Sequence, residues 1–234
     1  MEYSMSVRHI VFTKRAFNAI VTETIDKHPL ETGGIFIGYI LDNGIWIVVE
    51  TIPPGIETTN QMAYFEYDAN FINYLSNVIV KQYKGNLQVL GLWHRHPGSM
   101  DTFSSTDDET NLKFARANQL GAISGLINWD TKMRLTMYHV DDRCHYTKID
   151  WSVDDDIIPD NLLELRFTDL ADFPELGRNT NAITSTNSST QGNIEKRNHS
   201  EPTEITDGNC LNETLNSNTL GKKLKKCLNI LINE

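Results

Sequence analysis

Apolar residues recur along most of this chain in two rhythms, and each rhythm predicts an element. Between Thr13 and His28 they fall at Phe17, Ile20 and Val21, one stripe of a helix capped by Thr13 and stopped by the Pro29 that follows His28. Gly33 to Ile40 and Ile45 to Ile52 are apolar runs on either side of Leu41-Asp42-Asn43-Gly44, whose Asn-Gly step is a strong hairpin signal. An extended piece from Met62 to Tyr67 leads to Asp68, which caps a helix expected to turn Phe71, Tyr74, Leu75, Val78 and Ile79 inward. Leu87 to Trp93 is a further apolar, β-prone run, so a strand carries His94 and His96 at its end and stops at Pro97-Gly98. Ser104-Ser105-Thr106-Asp107-Asp108-Glu109 then sets hydroxyls and carboxylates ahead of Leu112, Phe114 and Ala115, which starts a helix reaching about Asn118. Strands follow near Gly121 to Asn128, Arg134 to Val140 and Cys144 to Ile149.

Helix, hairpin, strand, helix, strand, helix and a closing meander predict an α/β domain of the layered α+β kind, a mixed β-sheet flanked by helices. Pattern alone leaves its topology open. The expected organisation is a main domain over 1–153, an extension over 154–176 packed on it, a disordered linker over 177–216 and a short basic amphipathic helix over 217–234. In the extension, Leu162 to Phe167 could be one more short strand or helix. From Gly177 to Cys210, Asn, Ser and Thr fill 16 of 34 positions and no aromatic residue occurs, so too little apolar area is available to offset the entropy of ordering. In the last segment Leu220, Leu224, Leu228 and Leu231 share a helical face among four lysines, which favours docking on a protein surface over stable membrane attachment.

The chemistry concentrates between His94 and Asp107. Side chains two apart on a strand share a face, so His94 and His96 can reach one ion, and Asp107 in the first turn of the next helix can fold back toward them. Two imidazoles and a carboxylate suit zinc and leave a fourth position open, the arrangement of a catalytic site. Each half is weak alone: an HxH pair is common on exposed strands, and Ser105 to Asp108 is an ordinary capping pattern. His28, three residues before Glu31, reads as a helix-end histidine more readily than as a neighbour of the metal.

The combined spacing HxHx7Sx2D, counted through His96, Ser104 and Asp107, resembles the signature of the JAMM metalloproteases, the JAB or MPN family, in its prokaryotic branch. The glutamate that this family carries ahead of a glycine-containing strand is matched by Glu31 in Leu30-Glu31-Thr32-Gly33-Gly34. The resemblance spans roughly Val11 to Ile149 and omits the tail. It implies one Zn2+ bound by His94, His96 and Asp107, with Glu31 hydrogen-bonded to the zinc-bound water and Ser104 supporting the oxyanion. It implies hydrolysis of an isopeptide or peptide bond at the C-terminus of a ubiquitin-like protein, and association with E1-like and E2-like conjugation enzymes. A catalytically silent MPN scaffold is the main alternative, and the intact motif counts against it. A JAMM peptidase of ordinary peptides is the second.

Charge narrows the partners. Residues from Arg178 onward hold 7 basic against 6 acidic side chains, so the preceding part carries 14 against 25 and −11 of the total −10. An acidic domain without a basic stripe argues against nucleic acid. Cys144, Cys210 and Cys227 are an odd set without metal spacing, and Met1 to Ile10 lacks a leader pattern, so reduced thiols and a cytoplasmic location are expected.

Overall fold

The computed structural model describes residues 7–84 and 87–164. The expected linker and basic amphipathic helix, and the extension beyond Glu164, lie outside these residues.

Three helices and ten strands are joined by short connections, with a one-turn helix at the end. They are β1 (His9–Phe12), α1 (Lys14–Asp26), β2 (Gly33–Ile40), β3 (Ile45–Ile52), β4 (Thr59–Asn60), β5 (Phe65–Glu66), α2 (Ala69–Gln82), β6 (Gln88–Pro97), α3 (Ser105–Ala117), β7 (Ala122–Trp129), β8 (Met133–Val140), β9 (Tyr146–Ile149), β10 (Trp151–Val153) and α4 (Asp160–Leu163). Eight strands form a mixed sheet in the order β10-β1-β3-β2-β6-β7-β8-β9. β9 and β10 are separated by Asp150 alone yet occupy opposite edges of the sheet, so the sheet curls strongly on itself.

The pleat sorts the core into two layers. Ile35, Ile37, Ile47, Val49 and Leu92 meet Ile72 and Ile79 of α2 and Phe114 and Ala115 of α3. On the other face Phe36, Trp46, Val48, Leu90 and Trp93 meet Ala16 and Ile20 of α1. The mixed sheet flanked by helices is therefore the one expected, with α1 on one side and α2 and α3 on the other.

Caps set the helix starts as read from the sequence: Thr13 Oγ accepts from Ala16 N–H at 3.0 Å and Asp68 Oδ1 from Phe71 N–H at 2.9 Å. The stripe of α2 is corrected. Its buried residues are Ile72, Ser76 and Ile79, while Tyr74 is 70% exposed and Phe71 and Leu75 only flank the core. Ser76 is fully buried between Ile72 and Ile79, on a face one residue away from the bulkiest reading. The extended piece at Met62 to Tyr67 is also refined: β5 pairs antiparallel with β4, and Met62 and Tyr64 are exposed around their turn. β1 and β10 had no local signal. Both are short, and β1 is held by parallel pairing with β3 on one side and β10 on the other.

Of the two readings open for the extension, the described part is a short helix, α4, that ends at Leu163. Ile158 is buried, and Leu162 and Leu163 pack against the same core as α2.

Candidate metal centre

β6 and β7 are parallel neighbours joined through α3, so the loop after β6 and the first turn of α3 come together at the carboxyl end of β6. His94 and His96 leave β6 on the α3 side and are 5% and 2% exposed. Their Nε2 atoms lie 2.8 Å apart. Asp107 presents Oδ1 at 3.4 Å from His94 Nε2 and Oδ2 at 3.3 Å from His96 Nε2.

The ring orientations are held from behind. His96 Nδ1 is 3.2 Å from Met100 O, which also accepts from Asn128 Nδ2 at 2.8 Å. A donor proton on Nδ1 leaves the Nε2 lone pair of neutral His96 facing His94 and Asp107. Phe103 covers the pair, its ring centroid 5.6 Å from that of His94, and is itself stacked on Tyr146 at 4.6 Å. Tyr146 in turn donates to Asp108 Oδ1 at 2.7 Å and accepts from Asn111 Nδ2 at 3.1 Å, tying β9 to the first turns of α3.

The capping pair of α3 is Ser104 with Asp107, not the Ser105 to Asp108 pattern. Ser104 Oγ accepts from Asp107 N–H at 3.2 Å, and Asp107 Oδ2 accepts from Ser104 N–H at 2.7 Å. This capping box aims the carboxylate at the histidines and leaves the Ser104 hydroxyl proton free to donate elsewhere.

Glu31 enters from β2. Gly33 pairs with His94, and Arg95 N–H donates to Thr32 O at 2.7 Å, which brings the segment ahead of β2 alongside the end of β6, where the charges of Glu31 and His96 act on one another. Its backbone is fixed from the β4–β5 hairpin: Glu31 N–H donates to Gln61 O at 2.8 Å and Asn60 Nδ2 to Glu31 O at 2.8 Å. His28 is not part of the cluster. It contacts Arg95 Nη2 through Nδ1 at 2.9 Å and lies 4.6 Å from the Trp129 ring, behind the strand.

The electrostatics follow the geometry. Burial raises the Glu31 carboxyl above its usual range and Asp107 adds to the rise, while His96 and Arg95 draw it back. Burial alone would raise Asp107, but hydrogen bonds from His94 and His96, the charge of His94 and the Ser104 N–H hold it well below the carboxylate range. For His96 burial works downward and is outweighed by the hydrogen bond and charge of Asp107, so its pKa is raised.

Two imidazole nitrogens and a carboxylate converge here so that all three can offer lone pairs to one cation. A tetrahedral zinc with bonds of about 2.0 to 2.1 Å spaces its ligand atoms about 3.4 Å apart. The observed 2.8, 3.3 and 3.4 Å separations lie close to that edge, and the three ligand atoms all fall within 4.8 Å. The donor set therefore fits the metal implied by the sequence resemblance. Among the described residues this is the one such group of metal-ligating side chains. The supporting roles of Met100 O, Asn128, Phe103, Tyr146 and Arg95 carried no sequence signal beyond the proximity of three of them to the motif.

No helix among the described residues is long and apolar enough to cross a membrane. No curated protein matches the chain. Among solved structures, the solution structure of protein DSY2949 from Desulfitobacterium hafniense is similar with a TM-score of 0.45 and 14% identity, covering 62% of this chain and 94% of that one. The model of the prokaryotic homologs of the JAB domain matches residues 13–138, from the cap of α1 into β8, and takes in His94, His96, Asp107, Ser104 and Glu31. By that match, over more than half of its length, the chain belongs to the family of prokaryotic JAB-domain homologs.

Proposed function

We propose that this protein is a zinc-dependent hydrolase of the JAMM type, acting on an isopeptide or peptide bond at the C-terminus of a ubiquitin-like protein. The observation that carries the reading is the meeting of His94, His96 and Asp107 at the sheet end where Glu31 enters. His94, His96 and Asp107 hold one Zn2+ per chain. When bound, it lowers the pKa of a water from 15.7 to about 7 and polarises the scissile carbonyl.

The remaining work belongs to the chain. Glu31 accepts the proton of the attacking water and returns it to the leaving amine, and its raised pKa matches a group that must both take and give a proton. The free hydroxyl proton of Ser104 donates to the carbonyl oxygen as negative charge grows there, a contribution of about 3 kcal/mol. Phe103 shields the histidine rings from water on one side. Asn128 and Met100 O keep His96 in the tautomer that offers Nε2. A reduced, cytoplasmic setting, with E1-like and E2-like enzymes as partners and no nucleic acid, completes the reading; Cys144 is a free thiol.

The test is zinc content of the wild type and Asp107→Ala, together with cleavage of a ubiquitin-like fusion by the wild type and Glu31→Gln. The expected result is about one zinc per wild-type chain, its loss in Asp107→Ala, and metal retained without cleavage in Glu31→Gln. Zinc without cleavage of any ubiquitin-like fusion removes the substrate class and points to ordinary peptides. A wild type that cannot be loaded with zinc is an MPN scaffold.

A further inference from the structure

Arg95 sits between the two histidines of β6, so it leaves the strand on the opposite face and plays no part in the metal cluster. It is only 1% exposed. Its guanidinium does not find a carboxylate as its hydrogen-bond partner: Nη1 donates to Leu30 O, Nη2 lies 2.9 Å from His28 Nδ1, and the Nε N–H is left without a partner. A buried cation in such surroundings is costly, and a Ser or Leu would fill the strand position at less expense of solvation.

What the arginine provides is a bracket. Its side chain holds Leu30 O and its backbone N–H holds Thr32 O at 2.7 Å, the carbonyls on either side of Glu31. His28, the third contact, is braced against Trp129, and Trp129 pairs with Pro97 at the end of the histidine strand. The segment that carries Glu31 is thereby tied to the same three-residue stretch that carries both histidines.

We propose that Arg95 is a positioning residue that fixes Glu31 relative to His96 and the metal. The proposal rests on the hydrolase reading for the role of Glu31, and its placement can be tested apart from that reading. A residue that merely stabilised the fold would lower zinc binding, amide protection and turnover together. A positioning residue acts on Glu31 alone.

The experiment uses the full chain as wild type, Arg95→Gln and Arg95→Lys. It measures zinc content, hydrogen exchange at the Glu31 amide, and kcat and KM on a ubiquitin-like fusion. Arg95→Gln is expected to keep its zinc, to exchange the Glu31 amide about tenfold faster or more, and to lose about 10²-fold in kcat at nearly constant KM. Arg95→Lys, whose ammonium can reach Leu30 O but cannot fork to His28, is expected to recover part of both. Glu31 exchange and kcat within about twofold of wild type in Arg95→Gln overturn the proposal, as does joint loss of zinc and global protection in both variants. If Arg95→Gln does not fold, Arg95→Lys decides alone: faster Glu31 exchange with zinc retained supports the assignment, and unchanged exchange overturns it. If the wild type cuts no ubiquitin-like fusion, the substrate class fails on its own, and exchange at Glu31 still decides whether Arg95 holds that segment.

Discussion

Gly33 stands opposite His94 across β2 and β6, so the backbone just after Glu31 lies against the backbone of the histidine strand. Nothing larger than hydrogen fits there. A Cβ on Gly33 would come within 2.5 Å of Trp93 O and 2.8 Å of Phe65 Cε1. Gly33→Ala is therefore expected to push β2 away from β6, destabilising the fold by about 1 to 3 kcal/mol. Cleavage should fall more than zinc content, because Glu31 moves while the histidines and Asp107 keep their own supports. Chemical denaturation with parallel zinc and activity assays checks both parts.

Ser104 carries two duties that one substitution can separate. Ser104→Ala removes the acceptor of the Asp107 N–H, which should cost about 1 kcal/mol of stability. The same change removes the hydroxyl proton, and kcat should fall by about 10² to 10³. Zinc stoichiometry should hold, because Ser104 N–H still donates to the Asp107 carboxylate. A Ser104→Ala protein of wild-type kcat would leave the hydroxyl as a cap only.

The metal-free protein should have a pH window of its own. Asp107 has a folded pKa below its ordinary 3.8, so the stability it contributes is present above that value and is lost as pH falls through the folded value. His96 has a folded pKa above its ordinary 6.5, so its contribution is full below 6.5 and is lost as pH rises through the raised value. Chelator-treated protein should thus melt highest between these two ordinary values. Zinc must displace the His96 proton, so the metal-loaded protein should instead gain stability as pH rises through neutrality. Thermal melts with and without chelator across this range check the crossing, and Asp107→Asn should abolish the apo maximum.

Tyr146 links the far edge of the sheet to α3, the helix that carries Asp107. Tyr146→Phe keeps the ring stack on Phe103 but leaves Asn111 Nδ2, on a residue 2% exposed, without its acceptor and Asp108 without its donor. A loss of about 1 to 3 kcal/mol is expected, with zinc binding retained because none of these groups is a ligand. Denaturant unfolding and elemental analysis together would show whether stability and metal separate.

The two helix caps, the hairpin strands and the histidine strand were legible because their causes are local. Thr13, Asp68 and Asn43-Gly44 act within a few residues, and the apolar runs of β2 and β3 are visible in any short window. The cluster of His94, His96 and Asp107 was legible for a related reason: His94 and His96 share a strand face, and Asp107 follows in the first turn of the next helix. The inward face of α2 was not, since Ile72 and Phe71 satisfy the same periodicity and only the sheet beneath decides between them.

By itself, then, the sequence determined the principal elements, the three ligand types and their spacing, the glutamate ahead of β2 and, through the resemblance these carry, the family. Only the tertiary structure decided that β1 and β10 join the sheet. It also decided that the charges of Glu31 and His96 act on one another and that Arg95, 65 positions from Leu30, grips the segment ahead of β2. Those facts depend on strand order and register, which are set when distant apolar faces bury one another and the backbone pairs across the gap. No window along the chain contains both partners of such a pair.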